Sequence, residues 1–231
     1  RHCGFCAVAK GTPEPPDPGE PDRVAGAVAS LGLAYAVLTS VTRDDLPDGG
    51  AAHFAAVIRA IRTASPGTRI EALIPDFGGD PAGLESVLAA RPEVLNHNLE
   101  TTESLYPAIR RPRENYRRSL DVLAAAKARG ALTKSGLMIG LGENEADIFR
   151  TFDDLRRAGC ELLTVGQYLS PTAAHRPVDR YYTPEEFAGL AAAARRAGFR
   201  EVVAGPLVRS SYEAERLYAA AAAKDEHPCA T

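Results

Sequence analysis

Two cysteines three positions apart stand at the start of the chain, in Cys3-Gly4-Phe5-Cys6. A turn of this length can aim both sulfurs at one metal centre. The spacing alone leaves half a zinc knuckle, a redox dithiol and part of an iron–sulfur site open. A thioredoxin-type dithiol follows a strand and opens a helix, whereas this pair runs into residues 11–21, which hold five prolines and two glycines. Zinc would require two more ligands at suitable spacing, and Cys160 and Cys229 each stand alone. Cysteines this sparse do not form a disulfide scaffold and suit a reducing compartment.

A second set of polar residues follows the short apolar runs. These segments are Thr39-Ser40-Val41-Thr42-Arg43-Asp44, Pro75-Asp76-Phe77, Asn96-His97-Asn98-Leu99-Glu100, Gly140-Leu141-Gly142-Glu143, Gly166-Gln167-Tyr168 and Arg209-Ser210-Ser211-Tyr212. Amides, hydroxyls and a carboxylate placed together at strand ends favour a binding site over ordinary polar loops. Asn96, Asn98 and Glu100 alternate and so share one face of an extended segment. His97 faces the other way, as a structural histidine. Lys134 lies inside an apolar run, where a buried lysine of lowered pKa is also a Schiff-base nucleophile. A barrel lyase using it is a competing reading, as is a chain without catalytic activity.

The elements that must position these groups read as strand and helix in alternation. Apolar runs at 33–38, 70–74, 94–96, 132–141, 162–165 and 202–203 predict strands. Amphipathic stretches predict helices over 22–31, 49–63, 81–90, 113–129, 145–158 and 184–197. Gly32 is the expected stop of the first, and Thr183 with Glu186 forms a capping box for the last. Such alternation implies α/β architecture with a parallel sheet, here a partial (β/α) TIM-like barrel whose site collects at the C-terminal ends of the strands. We read residues 1–216 as the barrel and 217–231 as the end of a C-terminal helix and its tail. The chain begins without Met directly before the cysteine pair, and its N-terminus reads as a cut end.

Arg-His-Cys-Gly-Phe-Cys-Ala-Val-Ala-Lys-Gly resembles the cluster motif of lipoyl synthases, enzymes of the radical S-adenosylmethionine (SAM) type with a C-x3-C-x2-C signature. The similarity continues through LTSVTRDDLPDGGA (38–51), NHNLET (96–101), TKSGLMIGLGE (133–143), LTVGQYLSPT (163–172) and GPLVRSSY (205–212). These ordered strings span about residues 1–216 and are specific. Cys3 and Cys6 match the second and third cysteines of the motif. The position of the first falls before Arg1, and the three cysteines of the family's N-terminal extension have no counterpart in this sequence. This departure leads us to expect that the chain by itself is inactive.

The resemblance implies a sulfurtransferase that inserts sulfur at C6 and C8 of a protein-bound octanoyl-lysine. It implies two 4Fe–4S clusters, one radical and one auxiliary, together with SAM. Cys3 and Cys6 would hold the radical cluster and Ser211 would give an oxygen ligand to the auxiliary one, although Ser210 or Ser211 also suits a helix N-cap. Phe5 is either a neighbour of the adenine or ordinary loop packing. Thr39, Ser40 and Asp44 would take the methionine end of SAM, and Asn96, Asn98 and Glu100 the ribose. Gly136-x-Met138-x-Gly140-x-x-Glu143 would bring backbone to the adenine. Gln167, Tyr168 and Arg209 complete the expected cofactor-binding set. Expected partners are octanoylated lipoyl-carrier domains (2-oxoacid dehydrogenase E2 subunits and the glycine cleavage H protein) and a ferredoxin or flavodoxin.

Composition agrees with a globular cytoplasmic enzyme. Residues are 45% apolar and 25% charged, and the formal net charge is −3. No basic patch suggests nucleic acid, and no apolar stretch has transmembrane length.

Overall fold

The computed structural model describes residues 1–9 and 11–226. Six strands form one sheet in sequential order, every neighbouring pair parallel. The strands are β1 (Tyr35–Thr39), β2 (Arg69–Leu73), β3 (Val94–Asn96), β4 (Leu132–Ile139), β5 (Leu162–Gln167) and β6 (Glu201–Gly205). The helices are α1 (Glu20–Leu31), α2 (Ala51–Ala64), α3 (Pro81–Ala89), α4 (Glu114–Ala128), α5 (Glu145–Arg157), α6 (Pro184–Arg196) and α7 (Ala214–Glu226). This is the α/β, partial TIM-like barrel that the alternation implies.

Most element bounds agree with the sequence to within two or three residues. α1 starts at Glu20, inside the segment expected to be loop, because Pro21 is tolerated in a first turn and Glu20 and Asp22 suit the helix N-terminus. Gly32 ends it in the left-handed region at φ 61°. β4 stops at Ile139, short of residue 141, since Gly140 takes φ 97°. The Thr183–Glu186 capping box of α6 is present.

The two faces of the sheet differ in chemistry. Ile70, Ala72, Leu95, Leu137, Ile139, Leu163 and Val165 lie in two apolar clusters shared with α1–α6. Alternate residues form the opposite, inner face. Val94, Leu132, Leu162 and Val203 on that face pack against Leu217 and Ala221 of α7. Above them lie Glu71, Asn96 and Lys134, all buried, and towards the strand ends come Asn98, Gly136, Gly166 and Met138. β1 and β6 are the sheet's edges, and Tyr218 of α7 meets Tyr35 of β1 with ring centroids 5.9 Å apart. α7 thus runs through the 216/217 boundary and forms part of the core. Cys229 and residues 227–231 lie outside the described residues.

Candidate active site at the strand ends

The cysteine loop is fastened over the C-terminal ends of the strands. Cys6 N–H closes the turn on the Cys3 carbonyl at 3.3 Å, and Gly4 N–H donates to the Ile109 carbonyl at 2.8 Å. On the other side Arg176 N–H donates to the Gly4 carbonyl at 3.0 Å, and the His175 ring nitrogen Nε2 lies 3.1 Å from the Cys6 carbonyl. Phe5 packs on the cluster of Ile109, Leu141 and Tyr168, where Met138 also lies. Arg1 pairs with Asp44, which follows β1, at 2.8 Å and with Asp76, which follows β2, at 2.5 Å. Strands and loops far apart in sequence therefore converge on this segment.

Cys3, Glu100 and Arg111 form its electrostatic centre. Burial pushes the Cys3 thiol and the Glu100 carboxyl upward in pKa, while the Arg111 guanidinium draws both down. Arg111 is 8% exposed and stands over the Tyr106 ring at 5.2 Å. Its Nε has no hydrogen-bond partner among the described residues. Glu100 holds a left-handed backbone at φ 75°, while its amide and carbonyl bond to Gly136 and Met138 of β4. Arg111 is thus a buried cation whose charge acts on both Cys3 and Glu100. Sequence reasoning missed Arg111: nothing in Arg110-Arg111-Pro112-Arg113 separates it from its neighbours, and only the fold turns it inward.

The remaining residues singled out from sequence fall into three groups. Asn98 reaches the strand-end region, where its Oδ1 accepts from the Ser210 hydroxyl at 2.8 Å. Thr39, Ser40 and Asp44 are exposed at the end of β1. Thr39 and Ser40 line a cleft of about 350 Å³ with Glu20, Arg43, His53 and Phe54. Arg209 and Ser211 are exposed in the segment after β6.

A third group is held in the scaffold. Asn96 donates to Glu71 at 2.7 Å beneath the mouth. The Gln167 amide spans the Ile139, Tyr168 and Arg180 carbonyls and the Tyr182 N–H. Glu143 accepts from Gly140 N–H at 2.6 Å, Leu141 N–H at 3.0 Å and the Tyr182 hydroxyl at 2.9 Å. The Tyr168 hydroxyl donates to the Arg176 carbonyl at 2.7 Å.

Contacts decide the readings of Lys134, Ser210 and His97. The three protons of Lys134 are committed to Glu71 and to the Ser210 carbonyl, which removes the Schiff-base reading. Ser210 does not cap α7, because its hydroxyl bonds Asn98 and α7 begins at Ala214. His97 is structural, with ring nitrogens 2.8 Å from the Ile74 carbonyl and 2.9 Å from the Ser119 hydroxyl. Cys160 is buried, and its thiol meets the Leu162 carbonyl at 3.3 Å. No helix among the described residues is long and apolar enough to cross a membrane.

Comparison with known proteins matches residues 1–155 to the family model described as the radical SAM superfamily. The chain is 57% identical over 221 residues to a lipoyl synthase of Thermus thermophilus, covering 94% of this chain and 68% of the relative. It is 53% identical over 222 residues to that of Chlorobium limicola, with 95% and 76% coverage. Among solved structures, HydG, a maturase of the [FeFe]-hydrogenase, superposes with TM-score 0.67 at 14% identity, over 96% of this chain and 51% of that one. Streptococcus suis SuiB bound to S-adenosylmethionine gives TM-score 0.64 at 10% identity, over 87% of this chain and 47% of that one. These two distant structures speak for the fold alone, whereas the close relatives and the family model together show that the chain belongs to the lipoyl synthases of the radical SAM superfamily, a family that uses SAM and 4Fe–4S clusters.

Proposed function

We propose that Cys3 and Cys6 supply two thiolates to the radical-SAM 4Fe–4S cluster, and that the strand-end mouth around them binds SAM. The activity of the intact enzyme is that of a lipoyl synthase, sulfur insertion at C6 and C8 of an octanoyl-lysine on a lipoyl-carrier protein. When bound and reduced, the cluster supplies the one-electron chemistry that opens SAM for hydrogen abstraction. The observation that carries this reading is the C-x-x-C turn, pinned from both sides onto the strand ends beside Glu100 and Arg111.

The donor set fits one cluster in part. Cys3 and Cys6 are free thiols, and among the described residues no three His, Cys, Asp or Glu side chains converge as a metal site. The pair thus accounts for two ligands. No His, Cys, Asp or Glu group converges on Ser211 among the described residues, which by themselves do not make an auxiliary site. The exposed Ser211 hydroxyl remains our proposed single oxygen ligand to that cluster.

Within the mouth, the buried Arg111 guanidinium binds the SAM carboxylate. Glu100 and Asn98 take the ribose hydroxyls or the ammonium. Thr39, Ser40 and Asp44 border the methionine end. Phe5 and Met138 form an apolar wall that excludes water from the reacting carbon. Gly140, Glu143, Gln167 and Tyr168 hold the loops that shape this wall, and Asn96 acts one layer below. Arg209 borders the approach of the carrier domain.

The carrier domain is of the kind found on 2-oxoacid dehydrogenase E2 subunits and the H protein, and a ferredoxin or flavodoxin supplies the electron. Free thiols suit a reducing cytoplasm. The test is 5′-deoxyadenosine formation by the intact, reconstituted enzyme. Cys3→Ala and Cys6→Ala should each abolish it, and turnover surviving either change would place the chemistry elsewhere.

A further inference from the structure

Lys134 sits on the inner face of β4 with its side chain fully buried. An ammonium taken out of water requires compensation at each of its protons. Glu71 meets it with both carboxylate oxygens, at 2.9 and 3.0 Å. The same carboxylate accepts the Tyr35 hydroxyl at 2.9 Å and the Asn96 amide at 2.7 Å. Four adjacent strands thereby contribute one residue each to a single buried ion pair. A buried pair of this kind is poor evidence for stability, because apolar residues of similar volume often serve as well.

The third bond of Lys134 is of a different kind. It leaves the strands and holds the Ser210 carbonyl at 2.7 Å, in the segment that follows β6. That segment is accommodated at two further points on the inner face. A side chain at Gly136 would meet Asn98 Oδ1 at 2.7 Å, Ser210 Oγ at 2.9 Å and Thr164 Oγ1 at 3.0 Å. A side chain at Gly166 would collide with the Val208 carbonyl. The bare glycines let the segment lie against β4 and β5, and Lys134 with Asn98 ties Ser210 down by its carbonyl and its hydroxyl.

We propose that the Glu71–Lys134 ion pair is a positioning device for the Arg209–Ser211 segment: it fixes the Ser210 carbonyl and so sets where the adjoining Ser211 hydroxyl is presented. Lys134 acts through the Ser210 carbonyl and is a positioning residue. The importance of this positioning for the reaction rests on the reading of Ser211 given above, whereas the tether itself does not.

The test replaces the pair by Glu71→Gln with Lys134→Met in the full protein. This removes both charges and keeps one carbonyl acceptor where Glu71 offers two, one to Tyr35 and one to Asn96. Hydrogen–deuterium exchange should become at least tenfold faster in peptides covering 206–213, while those covering β4 and β5 keep their protection. Unchanged protection of 206–213 would overturn the proposal, and so would an equal loss across the barrel, which would make the pair a plain stability element.

A measurement on the unaltered protein covers the case in which the double variant does not fold. With lysine labelled by 15N and serine by 13C at the carbonyl, Lys134 Nζ should show a through-hydrogen-bond coupling to the Ser210 carbonyl and slowly exchanging ammonium protons. Absence of both would sink the tether. Full lipoyl yield from Ser211→Ala would instead remove the role of Ser211 while leaving these two readouts as they are.

Discussion

At the scale of single residues, burial and charge set what each side chain can do. Arg111 is a buried guanidinium whose charge acts on Cys3 and Glu100. A hydrogen bond between charged groups contributes about 1.5–3 kcal/mol, so Arg111→Met should raise the KM for SAM by about tenfold or more, with a smaller change in kcat. Steady-state formation of 5′-deoxyadenosine measures both, and an unchanged KM would move the carboxylate elsewhere. His97 gives a test in pH. Burial holds its pKa below the ordinary value. As pH falls below about 6.5, the unfolded chain takes up a proton that the folded imidazole refuses, so stability falls from pH 7 towards 5 and is fully present above that window. His97→Gln should flatten this limb. Glu100, whose raised pKa acts in the opposite sense, is present in both proteins. The difference between their denaturation midpoints across this range therefore isolates the histidine, and parallel curves would refute the assignment.

At the scale of elements, short-range chemistry decides where strands end and where the loops above them go. The turn after β4 is made by Gly140 at φ 97° and closed by the Glu143 carboxylate. A side chain at Gly140 would run into the Gln167 amide and would meet the Arg180 carbonyl at 2.6 Å. Positive φ and overpacking act together here, so Gly140→Ala should cost about 2–3 kcal/mol. It should also disturb the wall around Leu141 and Tyr168. Urea denaturation gives the first and SAM binding the second; a loss below about 0.5 kcal/mol would show that the turn relaxes freely. Thr183→Ala removes only a capping box on an exposed helix start. It should cost about 1 kcal/mol and leave SAM binding unchanged.

At the scale of the whole molecule, six parallel strands leave an inner face that must be covered. α7 covers its lower part, with Leu217 at 2% exposure and Ala221 at 0%, against Val94, Leu162 and Val203 from three strands. Leu217→Ala should therefore cost about 2–5 kcal/mol. Its effect should be cooperative, lowering the midpoint of the whole barrel, and a separate early transition confined to the C-terminus would show that α7 is an appendage. The layers above α7 change from apolar to ionic to glycine-rich before the mouth is reached. The segment after β6 can enter from the open side only because Gly136 and Gly166 carry no side chain there.

The sequence by itself determined the order of strands and helices, the face that each helix buries and the strand ends at which polar groups collect. Local periodicity, proline and glycine positions and capping chemistry act over a few residues, and all of them can be read along the chain. The C-x-x-C pair and the strings around it were legible for the same reason. Tertiary structure decided which polar groups work together. Sheet register brings Asn96, expected at the ribose, and Lys134, a candidate nucleophile, to one point, where both bond to Glu71. Gln167 and Glu143 read as ligand-facing, yet the returning 172–183 segment supplies them with backbone and hydroxyl partners. Arg111 was unremarked among its neighbours until packing on Tyr106 turned it towards Cys3. Hydrogen bonds and charge act over a few ångströms, and residues far apart along the chain come within that distance only when the sheet has formed.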